Sequence, residues 1–321
     1  MKKAIPEQAN ASATLSHRSV LLQESIAALD IKANGIYIDA TFGRGGHSRA
    51  ILSQLGDSGR LIALDRDPQA IEAGASLASD QRFSIHHCAF ANIKTVVNDL
   101  GLYGKIDGVL MDIGVSSPQL DDAKRGFSFQ KDGPLDMRMD TGSGVSAAQW
   151  LNTASLSEIA TVIKQYGEEK FGTRIAHAVL EQRVIKPLET TAEFAALIDK
   201  AVPVKDKFKH PATRTFQGVR IFINGELKQL ELGLAESVDV LCTGGRLVVI
   251  SFHSLEDRMV KRFIKSQSQG PKYPSKLPLT QAVLDLGKIL KPIGKAIKPS
   301  DEEVQRNSRS RSSVLRAAMK L

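Results

Sequence analysis

Short apolar runs alternate with segments of helical spacing along the first third of the chain. Four runs, at residues 36–38, 60–64, 82–86 and 106–111, are rich in residue types that favour strands. The residues between them recur at helical spacing. Strands that alternate with helices form a parallel sheet, so we predict an α/β, doubly wound fold. Ligands of such sheets bind at the carboxyl ends of the strands.

The pattern changes after the fourth predicted strand. Residues 126–140 have no period and many turn formers, which indicates a functional loop. Residues 146–202 then show helical patterns alone, opened by capping boxes in which a Ser or Thr precedes a Glu or Gln by three positions. The boxes are Ser146 with Gln149, Ser155 with Glu158, and Thr190 with Glu193. We therefore expect a small all-helical insert at residues 141–210.

The insert divides the predicted sheet domain into two segments, residues 17–140 and 211–321, which follow a flexible N-terminus of residues 1–16. The second segment begins with a helix whose leucines form a buried stripe and continues into a fifth apolar strand at 246–252. Two short strands are expected at 288–293 and 312–318, with a helix from Ser300 between them.

A glycine-rich turn follows the first predicted strand. Gly43, Gly45 and Gly46 permit backbone angles and a close ligand approach that a Cβ would prevent, and the helix after them points free N–H groups at the turn. Asp65 closes the second strand, where an acid typically binds ribose hydroxyls. Together they predict a nucleoside site. The loop also fits the dinucleotide pattern loosely, so a nicotinamide dehydrogenase remains an alternative at this point.

Composition narrows the class of protein. The chain has 321 residues, 42% of them hydrophobic and 24% charged, as in a soluble globular protein. Its two cysteines, Cys88 and Cys242, fit no disulfide or metal spacing, and no apolar run approaches a membrane span. We expect a cytoplasmic protein without metal and without membrane association.

The net charge of +8 is concentrated near the C-terminus. Ten basic residues lie between Arg258 and Lys298, where Asp285 is the one acid, so these charges are expected to lack internal partners. Such a surface is typical of a protein that binds a polyanion, and the arginines at 306, 309, 311 and 316 add to it. A solvated face that serves solubility is the alternative.

Several longer motifs resemble the ribosomal RNA small subunit methyltransferase H family. They are DATFGRGGH from Asp39, DRDP from Asp65, DIGVSSPQLD from Asp112, GPLDMRMD from Gly133, RTFQGVRIFINGEL from Arg214, SFHSLEDR from Ser251 and NSRSRSSVLR from Asn307. The resemblance runs from His17 to near the C-terminus. It implies a Rossmann-like class I methyltransferase that uses S-adenosylmethionine to methylate N4 of a decoding-region, P-site cytosine in 16S rRNA.

The resemblance also implies roles for individual residues. The cofactor residues would be Gly45, Gly46 and His47 at the methionine end, Asp65 at the ribose, Phe90 by the adenine, and Asp112 and Gln119. The residues at the reaction would be Asp112, Ser116, Ser117 and Pro118. Independently of the resemblance, candidate substrate contacts are Phe127 or Phe129, His253, and the basic residues Lys261, Arg262 and Lys265. The helical insert would recognise the substrate.

Methylation of an exocyclic amine requires acceptors aimed at its hydrogens, because the nitrogen lone pair is delocalised into the ring. Many amino-methyltransferases use an acid-Pro-Pro-aromatic motif here, whereas this chain has Ser-Ser-Pro-Gln and so lacks the aromatic. Phe127 or Phe129 is a candidate to stack on the base, and the alternative is that both rings hold the loop against the core. His253 has a helix-capping or core role as its alternative.

Other reactions on cytosine fit less well. Methylation at carbon 5 requires a cysteine nucleophile, and neither Cys88 nor Cys242 lies in a suitable loop. Deamination requires a zinc signature that the chain lacks. A non-catalytic factor that binds 16S rRNA during assembly of the small ribosomal subunit is a further alternative. A homodimer is left open.

Overall fold

A computed structural model describes residues 19–207, 209–270 and 286–321. The N-terminal segment predicted to be flexible lies outside the described residues. Seven strands form one sheet in the order β3-β2-β1-β4-β5-β7-β6. The strands are β1 Ile36–Asp39, β2 Arg60–Asp65, β3 Phe83–His87, β4 Ile106–Asp112, β5 Leu241–Ser251, β6 Leu290–Ile297 and β7 Val314–Lys320.

Strands β1 to β5 are parallel, which confirms the predicted α/β sheet. Strand β7 is antiparallel to both of its neighbours, β5 and β6. The two C-terminal strands were expected from their apolar residues, but the sequence did not determine their direction. Because β1, β2 and β4 run in parallel, their carboxyl ends meet at one edge of the sheet and bring Asp39, Asp65 and Asp112 to it.

Helices cover both faces of the sheet and form a separate unit beside it. They are α1 Leu22–Leu29, α2 Gly46–Leu52, α3 Pro68–Gly74, α4 Ile93–Asp99, α5 Ser117–Asp121, α6 Ala147–Thr153, α7 Leu156–Gln165, α8 Gly172–Ile185, α9 Thr191–Ala201, α10 Ala212–Asn224, α11 Glu226–Val240, α12 Ser254–Gln267 and α13 Asp301–Arg306. The three predicted capping boxes are confirmed at the starts of α6, α7 and α9. Among the described residues, no helix is long and apolar enough to cross a membrane.

The helical unit is larger than the predicted insert. Its hydrophobic core begins at Phe127, includes Leu135 and Met137 of the aperiodic loop, and ends at Val219 in α10. Two further core clusters lie on the two faces of the sheet. The loop and helix α10, which we had placed in the sheet domain, therefore pack as part of the helical unit.

Helices α10 and α11 meet at Gly225, where the chain passes from the helical unit to the sheet. Gly225 has a φ of 59°, a left-handed conformation that favours glycine, so the two helices are separated by a sharp break. Arg220 and Glu226 bridge the break through two hydrogen bonds of 2.9 and 2.8 Å. A partly buried ion pair thus spans the break.

Candidate active site

A cleft opens at the carboxyl edge of the sheet, between the sheet and the helical unit. Its volume is about 520 Å³, which is within the range of small-molecule sites. Its walls come from the glycine loop after β1, the ends of β2 and β4, the segment after β5, and helices α10 and α11. The predicted residues that line it are Gly46, His47, Asp65, Phe90, Asp112, Ser116, Ser117, Pro118 and Gln119.

The glycine loop is fastened to Asp65. The two carboxylate oxygens of Asp65 accept hydrogen bonds from the backbone N–H groups of Gly43 and Asp67, each at 2.8 Å. A Cβ on Gly46 would lie 2.0 Å from the hydroxyl oxygen of Ser19, so glycine lets the segment before α1 pack closely against the loop. Gly45 does not line the cleft; it precedes α2 with a φ of 74° and gives the turn its shape. These contacts fix the glycine loop at the N-terminus of α2.

Asp112 is an acid of the cleft whose hydrogen-bonding capacity is incompletely used. Its Oδ2 lies 3.7 Å from Nδ1 of His47, whereas its buried Oδ1 has no hydrogen-bond partner among the residues that the structure describes. Burial, together with the nearby charges of Asp39 and Glu256, raises the pKa of Asp112 to about 8. The side chain keeps 23% exposure, so a ligand in the cleft can reach it. Such a carboxyl favours a cationic or hydrogen-bond-donating ligand.

Asp39 is a second buried acid that the sequence analysis did not select. It is fully buried and accepts a hydrogen bond of 2.6 Å from the Ser48 hydroxyl. Burial raises its pKa to about 6. Its position as the acid that closes β1, directly before the glycine turn, was the signal that could have identified it.

Gln119 connects the loop after β4 with the loop after β2. Its Oε1 accepts from the backbone N–H of Ser116 at 2.9 Å, and its Nε2 donates to Asp67 at 2.7 Å. The same oxygen of Asp67 accepts from Arg125 at 2.9 Å, in a pair whose side chains are 5% and 7% exposed. Arg125 also donates to the carbonyl of Met139 in the helical unit. This network, which we call the Asp67 network, joins the loops after β2 and β4 to the helical unit.

The aromatic side chains are placed differently from our expectation. Phe127 is buried in the core of the helical unit, and Phe129 packs on the rings of Phe216 and His210 at 5.0 and 4.7 Å. Neither lines the cleft, so the structure corresponds to the alternative in which they hold the loop. Phe252, directly after β5, lines the cleft instead.

His253 belongs to a buried network beside the cleft. Its Nε2 lies 2.9 Å from Glu256, which also accepts from the backbone N–H of Phe252 at 2.8 Å. Burial opposes the ionisation of Glu256, but His253 and the charge of Arg220 outweigh it and hold the pKa of this carboxyl below its ordinary value. His253 does not line the cleft, and it caps α12. Glu226, His253 and Glu256 lie close together, but Arg220 already supplies positive charge there, so we assign no cation to them.

Several arginines of the C-terminal segment form ion pairs within the protein. Arg258 pairs with Glu168 of the helical unit at 3.4 Å, and Arg316 pairs with Asp257 at 2.7 Å. Arg309 likewise pairs with Asp121, and Arg306 with Glu302. The expectation that the charges between Arg258 and Lys298 lack internal partners is therefore wrong for Arg258, because Glu168 comes from another part of the chain. The arginines at 306, 309 and 316 are also paired, so they add less free charge than expected.

Three predicted basic residues remain available on α12. Lys261, Arg262 and Lys265 are exposed, and none has an ion partner in the part of the chain that is described. Lys272, Lys276 and Asp285 lie outside the described residues.

Comparison with known proteins places the chain among methylases. Residues 14–321 match the profile of the MraW methylase family. A protein of Alteromonas mediterranea named ribosomal RNA small subunit methyltransferase H is 65% identical over 305 residues, which cover 95% of this chain and 97% of the relative. The protein of the same name from Shewanella woodyi is 58% identical over 310 residues, which cover 97% and 99% of the two chains.

The raised pKa of Asp112 predicts a specific dependence of stability on pH. The folded state retains a proton that the unfolded state releases near pH 4, so this carboxyl destabilises the fold increasingly as the pH rises toward about 8. Asp112→Asn removes the effect. We expect the variant to gain on the order of 1–3 kcal/mol over the wild type near pH 8 and much less near pH 5. Urea unfolding at both pH values measures the difference.

Asp57→Asn is the matched control for Asp112→Asn, because Asp57 is exposed in a turn before β2. It should leave the pH dependence unchanged. Parallel stability curves for Asp112→Asn and the wild type would contradict the assignment of a protonated, buried Asp112.

Proposed function

The chain belongs to the MraW methylase family, and we propose that it transfers a methyl group from S-adenosylmethionine to N4 of a decoding-region, P-site cytosine in 16S rRNA. The observation that carries the proposal is Asp112, a carboxyl that lines a cleft at the carboxyl ends of the strands and whose Oδ1 has no hydrogen-bond partner among the described residues. The relatives named for the small-subunit rRNA align over nearly their whole length, which supports this class of substrate. Membership of a methylase family removes the nicotinamide dehydrogenase alternative.

The residues of the cleft fit the proposed cofactor. S-adenosylmethionine supplies a methyl group on a cationic sulfur. Asp112, whose side chain keeps 23% exposure, places a carboxyl beside that positive charge. Gly43 lines the cleft with open space where a Cβ would lie, so a ligand can approach the backbone there. Each oxygen of Asp65 accepts one backbone N–H and keeps a lone pair for a ribose hydroxyl. Phe90 provides an apolar wall for the adenine.

The segment after β4 provides acceptors for the target amine. Ser116, Ser117 and Pro118 line the cleft close in sequence to Asp112. The carbonyl of Ser116 accepts the N–H of Leu120 at 3.3 Å, a long bond that leaves its second lone pair for a base. We assign the carbonyls of Ser116 and Ser117 to the amine hydrogens, where they would redirect the nitrogen lone pair mainly by positioning. Phe252 takes the role of the stacking aromatic.

The identity of the product tests the proposed function. We expect nucleoside mass spectrometry to detect N4-methylcytidine after incubation with unmethylated small subunits or free 16S rRNA. A variant with Cys88→Ala and Cys242→Ala should form the same product, because burial raises the pKa of the Cys88 thiol and no covalent adduct is required. The appearance of 5-methylcytidine would contradict the N4 assignment, and the absence of any methylation would favour the non-catalytic assembly factor.

A second prediction concerns Asp65. Asp65→Ala should weaken binding of S-adenosylmethionine by about 100-fold, because charge-assisted hydrogen bonds to the ribose and the anchor of Gly43 are both lost. Isothermal titration calorimetry measures the affinity, and Asp57→Ala serves as a control for loss of an exposed acid. Wild-type affinity in Asp65→Ala would rule out this acid as the ribose ligand.

A third prediction concerns contact with rRNA. Replacement of Lys261, Arg262 and Lys265 by Gln should reduce the slope of log affinity against log salt by up to about two units, because each phosphate contact releases counterions. The methylated cytosine should not change, since phosphate contacts position the RNA without reading its sequence. Filter binding across a salt series gives the slope, and mass mapping identifies the nucleotide.

The control for this triple variant replaces Lys32, Arg60 and Lys105 by Gln. These residues are equal in number and exposed, but they lie near the amino ends of β1, β2 and β4, at the sheet edge opposite the cleft. Their loss should leave the slope nearly unchanged. Equal effects of the two triple variants would show that α12 is not a specific contact.

A further inference from the structure

The side chain of Gln229 is a polar group of the cleft that the proposed reaction does not use. Gln229 of α11 lines the cleft, and its Oε1 is buried without a hydrogen-bond partner among the described residues. A buried amide oxygen without a hydrogen bond has lost its contact with water and gained no other, so this state is costly. A ligand that donates a hydrogen bond would remove the cost.

The position of Gln229 is defined by its neighbours. One helical turn further along α11, Gly233 packs against the ring of Phe90, where a Cβ would lie only 2.5 Å from a ring carbon. Residues four apart share one face of a helix, so Gln229 and Gly233 lie on the side of α11 that faces Phe90. Gln229, Leu230 and Phe90 all line the cleft. The side chain of Gln229 therefore lies beside the end of the cleft assigned to adenine.

A second unused polar atom comes from the loop after β2. Arg66 donates through Nη1 to the carbonyl of Asn224 at 2.8 Å, while its buried Nε has no partner in the described part of the chain. Arg66 lines the same cleft. The cleft thus combines an apolar wall at Phe90 with one acceptor and one donor that lack partners among the described residues. An adenine ring matches that combination, because it has ring-nitrogen acceptors and a single exocyclic amine donor.

We propose that Oε1 of Gln229 accepts a hydrogen bond from the exocyclic amine of the cofactor's adenine and so selects adenosine over purine nucleosides without that amine. The inference rests on the proposed function, because it assumes that an adenosine cofactor occupies the cleft. It assigns Gln229 a role in specificity for the cofactor and none in the chemistry of methyl transfer.

Two ligands test the proposal, S-adenosylhomocysteine and its analogue with unsubstituted purine in place of adenine. The analogue has no group at position 6, so rotation of the Gln229 amide cannot create a substitute hydrogen bond. We expect the wild type to prefer S-adenosylhomocysteine by about 5–10-fold, the effect of one neutral hydrogen bond. Gln229→Leu should reduce the preference to within about twofold, and Gln229→Glu, which keeps an acceptor, should retain it.

Gln54→Leu, a change at an exposed glutamine, is the control and should leave both affinities unchanged. If Gln229→Leu weakens both ligands equally, Gln229 shapes the cleft without reading the amine, and the proposal is wrong. A wild type that binds both ligands equally also overturns the proposal but leaves the proposed function intact. A wild type that binds neither ligand overturns both.

Discussion

The cleft depends on the buried ion pair between Arg125 and Asp67. The loops after β2 and β4 and the helical unit all border the cleft, and this pair, with Gln119, joins them. Removal of one partner from a buried pair leaves an uncompensated charge, which typically costs about 3–5 kcal/mol. The geometry of Ser116 and of the glycine loop is thus determined in part by this ion pair.

The acids at the sheet edge are held in an unfavourable state. Asp39, Asp65 and Asp112 end adjacent strands, and burial raises the pKa of each of them. Water and hydrogen bonds would normally compensate such crowding, but Asp112 retains an oxygen without a partner among the described residues. A cationic ligand beside the exposed side of Asp112 favours its ionised form and so lowers its pKa. The free protein is therefore locally destabilised at this edge of the sheet, and ligand binding removes that destabilisation.

The sequence predicted what depends on local pattern. Apolar runs located the first five strands, and capping boxes located three helices of the insert, because both signals are encoded within a few residues. Leu135 and Met137 pack in the helical core without any periodicity, so the limits of that unit could not be predicted. Arg258 and Glu168 are 90 positions apart, and a count of acids within one segment cannot detect such a pair. The sequence did not identify Gln229 as a cleft residue, because the spacing of the leucines was the one pattern recognised in helix α11.

The break at Gly225 has a consequence for modularity. Asn224, just before it, donates to the carbonyl of Met137 and accepts from the N–H of Met139, while its own carbonyl holds Arg66 of the cleft. The helical unit and the cofactor end of the cleft therefore share one residue as a common fixed point. The helical unit is therefore not an independent module of the sheet domain. A chimera that exchanged this unit between two relatives would have to include the glycine break and both loop contacts of Asn224.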